Sequence, residues 1–213
     1  MEISAVVFCV GLTGGLASGK SAASGFFAAL GAVVADADES SRRLTAPGGA
    51  ALPALRRVLG AWAFDDNGHL RRRAIRRRVF AEPSLRRDLE KTIHPLIQKD
   101  LQQQLDAAQD APYVILSAPL LLETGMFAGV WHRLAVVDCL PSEQISRACR
   151  RDDMSAEEAR TLMAAQCSRA VRLARADDII DNSGTLDDLR RRVEFCHRRY
   201  LSLSNTERKN DEK

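Results

Sequence analysis

Residues 14 to 21 read Gly14-Gly15-Leu16-Ala17-Ser18-Gly19-Lys20-Ser21, and they match the pattern G-x-x-x-x-G-K-[ST] at every fixed position. The apolar run from Ala5 to Val10 comes just before them and predicts a strand buried on both faces of a parallel sheet. Beyond Lys20, apolar residues recur at helical spacing and predict a helix that ends at Gly31. A glycine-rich loop between such a strand and helix is a P-loop, whose backbone N–H groups bind a phosphate chain.

The P-loop pattern assigns a role to individual residues of this segment. Lys20 is expected to reach the β- and γ-phosphates of a nucleotide, and the Ser21 hydroxyl to ligate Mg²⁺. Gly14 and Gly19 fit backbone conformations or close approaches that a Cβ atom would block. The residues expected to bind the nucleotide are therefore Gly14, Gly15, Leu16, Ala17, Ser18, Gly19, Lys20, Ser21 and Ala22.

Composition indicates a folded, soluble protein of one or two domains: the chain has 213 residues, of which 46% are hydrophobic and 28% charged. The longest apolar run is too short for a membrane span, and acidic Glu2 stands where a signal peptide has basic residues. Five cysteines are scattered without C-x-x-C spacing, which favours reduced thiols over disulfides or a zinc site. These features predict a cytoplasmic location with no membrane partner.

Charge predicts no nucleic-acid partner, because the formal net charge is only +3. Arginine is concentrated in residues 71–78, on a stretch whose apolar residues fall at helical spacing. Most of these arginines fit a solvated helix face, whereas one or two could hold an anionic substrate through the guanidinium group. No aromatic residue lies between them to stack a base.

Strand and helix patterns alternate along the chain and predict an α/β fold of the P-loop NTPase type, with three layers and a mostly parallel five-stranded sheet. Further strands are expected at 32–35, 113–117, 134–139 and 178–181, and helices at 50–60, 70–81, 84–108, from Ser142, from Ser155 and after Thr185. The predicted organisation is a nucleotide-binding core (1–40, 112–140 and 171–204), two helical insertions (41–111 and 141–170) and a flexible tail (205–213).

Absent motifs narrow the class of P-loop protein. The sequence has no N-K-x-D motif, which a switch GTPase needs for guanine, and no long Walker B run ending in Asp-Glu, which a motor ATPase needs. A small-molecule kinase remains, and it requires a carboxylate that takes the proton of the acceptor hydroxyl. Asp36 and Asp38 follow the second strand, and Asp38 is the expected base; capping of the next helix is the alternative for both.

Several other polar residues have more than one open interpretation. Glu123, after the apolar run 118–122, could orient Mg²⁺ through water, close the acceptor site, or be structural. Arg147, Arg150 and Arg151 lie in the 141–170 insertion, where a closing segment could bring one guanidinium to the γ-phosphate while the others stay solvated. His94 could hydrogen-bond an acceptor or cap a helix turn kinked at Pro95.

Together these motifs give the chain a resemblance to the dephospho-CoA kinase family over roughly residues 6 to 200. The P-loop with its preceding Gly11-Leu12-Thr13 resembles the family's loop, and Asp36-Ala37-Asp38 with Arg42 resembles its D-A-D-x-x-x-R. The remaining matches, in order, are Gly68-His69-Leu70-Arg71-Arg72, His94-Pro95, Pro119-Leu120-Leu121-Leu122-Glu123, Gln144 with Arg147, Arg151, Gln166, and Ala176-Asp177-Asp178-Ile179-Ile180-Asp181-Asn182.

The resemblance implies transfer of the γ-phosphate of ATP to the ribose 3′-hydroxyl of dephospho-CoA, with Mg²⁺ and no obligate protein partner. It implies that the P-loop, Arg147 and Asn182 bind ATP, that Asp38 is the base, and that Arg151 is the arginine of a lid formed by 141–170. It also makes 41–111 an acceptor-binding domain. The implied acceptor residues are Asp38, Arg42, Arg72, His94, Leu121 and Glu123.

Two departures from the family pattern qualify these roles. Ala17 replaces a common loop glycine, and Ser117 stands where many members have an aspartate. If that aspartate supports Mg²⁺, then Asp36 or Glu123 must do so here. The alternative functions are a nucleoside monophosphate kinase or another small-metabolite kinase on the same fold, and an ATP-binding module that transfers nothing.

Overall fold

A computed structural model describes residues 7–125, 127–152 and 154–211. Its sheet contains β1 Cys9–Gly14, β2 Val33–Asp36, β3 Val114–Ser117, β4 Arg133–Asp138 and β5 Asp178–Asp181. The strand order is β2-β3-β1-β4-β5, and every neighbouring pair is parallel. The helices of the described residues are α1 Lys20–Ala29, α2 Ala37–Leu44, α3 Leu52–Leu59, α4 Arg72–Ala81, α5 Pro83–Asp106, α6 Leu121–Thr124, α7 Pro141–Asp152, α8 Ala156–Ala164, α9 Arg169–Arg175 and α10 Leu186–Asp211, with a 3-10 helix at Ala61–Ala63. The predicted α/β class is confirmed.

The central strand β1 differs from its prediction, which ended it at Val10. The strand continues through Gly14, while Ala5 and Val6 lie outside the described residues. Gly11 lies within the strand. A Cβ atom at this position would come 2.8 Å from Leu121 Cδ2 and 3.1 Å from Trp131 Cγ, so a larger residue would crowd these two side chains. That glycine therefore allows close packing rather than a turn, and the P-loop begins only after Gly14 at the carboxyl end of the strand.

One compact unit contains the sheet and consists of the described residues up to Asp36 together with those from Gln104 onward. Its core packs the strands against α1 and α10, where Phe27, Tyr113 and Tyr200 are buried. The Tyr200 hydroxyl donates a 3.1 Å hydrogen bond to Asp178 Oδ2, so that its polar atom is satisfied inside the core. This packing fixes the strands whose carboxyl ends carry the P-loop and Asp36.

The second compact unit, Ala37–Gln103, is helical and has a hydrophobic cluster of its own. Leu55, Leu59 and Phe64 are buried in it, and the partly buried side chains of α4 and α5 pack around them. The sequence prediction placed this insertion at 41–111. The helical unit begins earlier than predicted, because α2 starts directly after β2. It also ends earlier, because the residues from 104 onward group with the sheet.

The expected flexible tail, 205–213, overlaps the last helix. Helix α10 continues through Asp211, and the last two residues lie outside the described part of the chain. No glycine or proline interrupts residues 186–211, and Arg208 Nη2 donates a hydrogen bond to the Ala111 carbonyl. Within residues 7–125, 127–152 and 154–211, no helix combines the length and apolar character needed to cross a bilayer.

Candidate active site

The P-loop turns from β1 into α1 by means of two residues with positive φ. Gly19 has φ +103°, and Ala17 has φ +51°, the left-handed region that glycine adopts more easily than alanine. The Ser18 amide donates to the Gly15 carbonyl at 3.0 Å and closes the turn. Ala17 therefore fills a position whose backbone conformation favours glycine.

Lys20 extends from the start of α1 to the ends of two other strands. Its ammonium donates a 2.9 Å hydrogen bond to Ser117 Oγ and lies 3.5 Å from Asp36 Oδ2, with the lysine side chain 8% exposed. Ser117 Oγ donates to Asp36 Oδ2 at 2.8 Å and accepts from Ser24 Oγ at 3.2 Å. The carboxyl ends of β2 and β3 thus hold the P-loop ammonium through a serine and a carboxylate.

The opposite side of the loop is held by the segment after β5. Asn182 Nδ2 donates a 2.7 Å hydrogen bond to the Ser18 carbonyl, and a Cβ on Gly19 would overlap this amide nitrogen. Arg147 Nη2 donates to the Asn182 carbonyl at 2.8 Å. The structure therefore brings Arg147, Asn182 and the P-loop together, while the predicted binding of ATP by these residues stays a prediction.

Two of the predicted acceptor residues lie in the sheet-containing unit: Leu121 is fully buried on α6, and Glu123 is exposed. Glu123 Oε1 accepts a 2.9 Å hydrogen bond from the Cys167 amide. Partial burial, reinforced by the Glu123 carboxylate, raises the pKa of the Cys167 thiol. Glu123 thus binds the backbone between α8 and α9, whereas Asp36 lies beside the P-loop lysine.

The helical unit carries the other predicted acceptor residues. Asp38 is half-buried in the first turn of α2, where a carboxylate also interacts favourably with the helix dipole, and Arg42 is exposed in the same helix. Arg72, at the start of α4, donates a 2.7 Å hydrogen bond to Thr45 Oγ1. His94 is half-buried within α5, and this burial, partly offset by the Glu90 carboxylate, lowers the pKa of its imidazole below 6.5.

Most of the arginine-rich segment forms an exposed helix face, in agreement with the simpler of its two interpretations. The guanidinium of Arg78 lies 4.6 Å from the centre of the Trp62 ring and donates to Glu82. The exposed remainder comprises Arg71, Arg73, Arg76 and Arg77. In the 141–170 insertion, Arg150 and Arg151 are likewise exposed, in the last turn of α7.

Sequence reasoning missed three side chains that contact or face the P-loop. Gln166 Oε1 accepts a 3.0 Å hydrogen bond from the Leu16 amide, and Gln144 and Arg172 face Gly15. The two glutamines belonged to the series of family matches but were given no role. No sequence motif around Arg172 pointed to the P-loop. Its helix, α9, is brought near the loop by packing against β4, which the sequence alone does not show.

A P-loop on the central strand of a parallel sheet, with its lysine held beside a strand-end carboxylate, defines the class of P-loop nucleotide-binding proteins. A family model described as CoaE, dephospho-CoA kinase, matches residues 8–188. The chain belongs to the dephospho-CoA kinase family and is therefore an ATP-dependent kinase.

Individual relatives agree with this membership. Dephospho-CoA kinases from Nitrosospira multiformis and Chromobacterium violaceum are 45% identical over 195 residues and 47% identical over 193 residues. The first alignment covers 92% of this chain and 97% of the Nitrosospira protein. The second covers 91% of this chain and 94% of the Chromobacterium protein. The solved dephospho-CoA kinase from Campylobacter jejuni shares the fold, with TM-score 0.65 at 20% identity over 91% of this chain and 97% of that one.

Proposed function

We propose that this chain transfers the γ-phosphate of ATP to the ribose 3′-hydroxyl of dephospho-CoA and releases CoA and ADP. The observation that carries the proposal is the position of Lys20, whose buried ammonium is held by Ser117 and Asp36 at the carboxyl edge of the sheet. That edge is where open α/β sheets bind their ligands. Membership in the family, over most of the chain, supports dephospho-CoA as the acceptor.

In the proposed reaction the ribose oxygen attacks the γ-phosphorus, and the bond to the β–γ bridging oxygen breaks. Asp38 takes the proton of the hydroxyl, while the P-loop amides and Lys20 bind the phosphate chain. Arg147 fixes the loop of Asn182 beside the P-loop, and Arg151 belongs to the segment that excludes water. Arg42, Arg72 and His94 bind the acceptor, whose pyrophosphate suits arginine.

Ser21 and Asp36 also fit a site for Mg²⁺, the ion that ATP-dependent phosphate transfer uses. Mg²⁺ in such enzymes takes one or two protein oxygens together with substrate phosphates and water. Among the described residues, no three His, Cys, Asp or Glu side chains come together as a metal cage. A Mg²⁺ ion held by only one or two protein oxygens does not need such a cage. The Ser21 hydroxyl and the Asp36 carboxylate would hold the ion, which supplies positive charge to the phosphate oxygens.

We further propose that the protein acts in the cytoplasm. All five cysteines are free thiols, and three of them are buried. Thiols persist where reductants keep them reduced, whereas secreted proteins commonly oxidise theirs.

The first prediction is that the purified protein converts dephospho-CoA to CoA when ATP and Mg²⁺ are present. Asp38→Asn should lower kcat about 10² to 10⁴-fold with ATP affinity retained, because a general base contributes on that scale. Lys20→Ala should weaken both ATP binding and transfer, because the same charge contacts the ground state and the transition state. Mass spectrometry of the CoA product and calorimetric titration with ATP measure the two effects.

Glu39→Gln is the matched control, since Glu39 is the exposed carboxylate beside Asp38 in the same helical turn. It should leave kcat unchanged. Turnover of a nucleoside monophosphate but not of dephospho-CoA would replace the proposal with the other kinase class. Binding of ATP without transfer to either acceptor would indicate a non-catalytic module.

A further inference from the structure

Two buried nitrogen donors face the backbone of Gly15 at the start of the P-loop. Gln144, in the first turn of α7, is 1% exposed, and Arg172, on α9, is 6% exposed. A Cβ atom on Gly15 would lie 2.6 Å from Gln144 Nε2 and 2.7 Å from Arg172 Nη2. The two donors come from helices that are distant in sequence, and they converge on one residue of the loop.

One of these two donors lacks a hydrogen-bond partner in the described part of the chain. Gln144 Nε2 is buried and has no hydrogen-bond partner there. Arg172 donates from Nη1 to the Cys167 carbonyl, while its Nη2 points to Gly15. A buried donor without a partner destabilises a folded protein unless a ligand or water completes its bonding, so Gln144 Nε2 marks a binding position, and the Arg172 guanidinium lies beside it.

The chemistry of the position selects an anion. Both atoms are donors, and one carries a full positive charge; the neighbouring groups are the backbone amides of the P-loop and the N-terminus of α1. A phosphate group, with several acceptor oxygens and negative charge, satisfies such a set, whereas a neutral ligand would leave the guanidinium uncompensated. The absence of a side chain on Gly15 lets both donors approach the backbone of the loop closely.

We propose that Gln144 and Arg172 bind oxygens of the β- or γ-phosphate of ATP above Gly15 and so complete the phosphate site of the P-loop. The proposal rests on the proposed function only in taking ATP as the nucleotide. Gln166 supports the same wall of the site, because its side chain binds the Leu16 amide from the segment between α8 and α9. Closure of the site on the phosphates thus uses residues from both ends of the 141–170 insertion and from α9.

The test compares nucleotide affinities of Gln144→Leu and Arg172→Met with those of the unaltered protein. Each variant should bind ATP about tenfold more weakly, which corresponds to losing one hydrogen bond to a charged group. Competition against a fluorescent ATP analogue should show the same loss for inorganic triphosphate and no loss for AMP. The loss of affinity is then compared between ATP and ADP. A loss for ATP alone assigns the contact to the γ-phosphate, and a loss for both nucleotides assigns it to the β-phosphate.

Arg175→Met is the matched control, because Arg175 lies exposed on the same helix and carries the same charge. It should leave ATP affinity unchanged. Arg172→Lys keeps the positive charge but lacks the planar guanidinium, so its ATP affinity should lie between those of the unaltered protein and Arg172→Met. This variant replaces Arg172→Met in the test if the methionine variant does not fold. Circular dichroism melting verifies that each variant is folded.

Unchanged ATP affinity in folded Gln144→Leu and Arg172→Lys would overturn the inference, as would an equal loss of AMP affinity, which indicates a structural role. The proposed function can fail separately: a protein that binds ATP and shows these losses but leaves dephospho-CoA unchanged would refute the acceptor and keep the phosphate contact. Failure of the unaltered protein to bind ATP would overturn both.

Discussion

At the residue scale, Ser117 uses its whole hydrogen-bonding capacity. A hydroxyl has one donor and two acceptor positions. Ser117 Oγ donates to Asp36 Oδ2 and accepts from Lys20 and Ser24, at distances of 2.8 to 3.2 Å. A serine here can connect a cation to a carboxylate, whereas an aspartate could only accept from donors. The network explains how a serine at the end of β3 holds Lys20 beside Asp36.

We expect Ser117→Ala to disturb this network more than Ser24→Ala does. Removing the Ser117 hydroxyl leaves the ammonium and carboxylate without their bridge, at a cost of about 1 to 3 kcal/mol. The melting temperature should therefore fall, and the KM for ATP should rise about tenfold as Lys20 loses its fixed position. Ser24→Ala removes one neutral hydrogen bond and leaves Lys20–Ser117–Asp36 intact. Equal effects of the two substitutions on the KM for ATP would contradict a positioning role for Ser117.

Sequence and structure agree at this scale where the chemistry is local. Gly14 to Ser21 could be assigned because the pattern places every phosphate-binding group within eight consecutive residues. Gln144 and Arg172 could not be assigned, because they reach Gly15 only when α7 and α9 are in place. Asn182 was found through its place in a motif, and the structure adds the reason for it: its amide closes the P-loop from outside.

At the element scale, the existence of each strand was easier to predict than the residues at which it begins and ends. The apolar run in β3 and the run in β4 mark them clearly, and β5 begins and ends where its sequence indicated. The carboxyl end of β1 was misplaced, since Gly11 and Gly14 are typical of turns in sequence but serve close packing here. Helix α5 contains Pro95, in agreement with the single helix predicted at 84–108.

Helix α8 offers a prediction about a single element. Ser155 Oγ accepts from the Glu158 amide at 3.1 Å and Glu158 Oε2 accepts from the Ser155 amide at 2.7 Å, which is a complete capping box. Ser155→Ala should lower the local stability of α8 by about 1 kcal/mol. Hydrogen exchange in α8 should then become about fivefold faster, while exchange in the sheet stays unchanged.

Thr161→Ala is the control for this helix, because Thr161 donates only to the Glu157 carbonyl and alanine is a better helix former. Exchange in α8 should not accelerate in that variant. Equal acceleration in both variants would show that the box contributes nothing specific at the start of α8.

At the scale of the whole molecule, the chain divides into units with separate hydrophobic cores. Leu55 is 1% exposed in the helical core, and Leu189 is fully buried in the core that backs the sheet. The predicted nucleotide residues lie in one unit, and Asp38, Arg42, Arg72 and His94 lie in the other. Under the proposed function, the ATP-binding residues lie in the sheet-containing unit and most of the acceptor-binding residues lie in the helical unit, so the two kinds of binding can be perturbed separately.

We therefore expect Leu55→Ala to damage acceptor use and spare ATP binding. Truncating a buried leucine costs about 2 to 5 kcal/mol, and the loss should fall on the core that contains it. Hydrogen exchange should rise across Ala37–Gln103, the KM for dephospho-CoA should rise, and ATP affinity should stay within about twofold. Leu189→Ala, an equal truncation in the other core, should show the reverse, with faster exchange in α1 and weaker ATP binding. Loss of ATP affinity in Leu55→Ala as large as in Leu189→Ala would mean that the cores do not respond independently, and the assignment of the two substrates to separate units would fail.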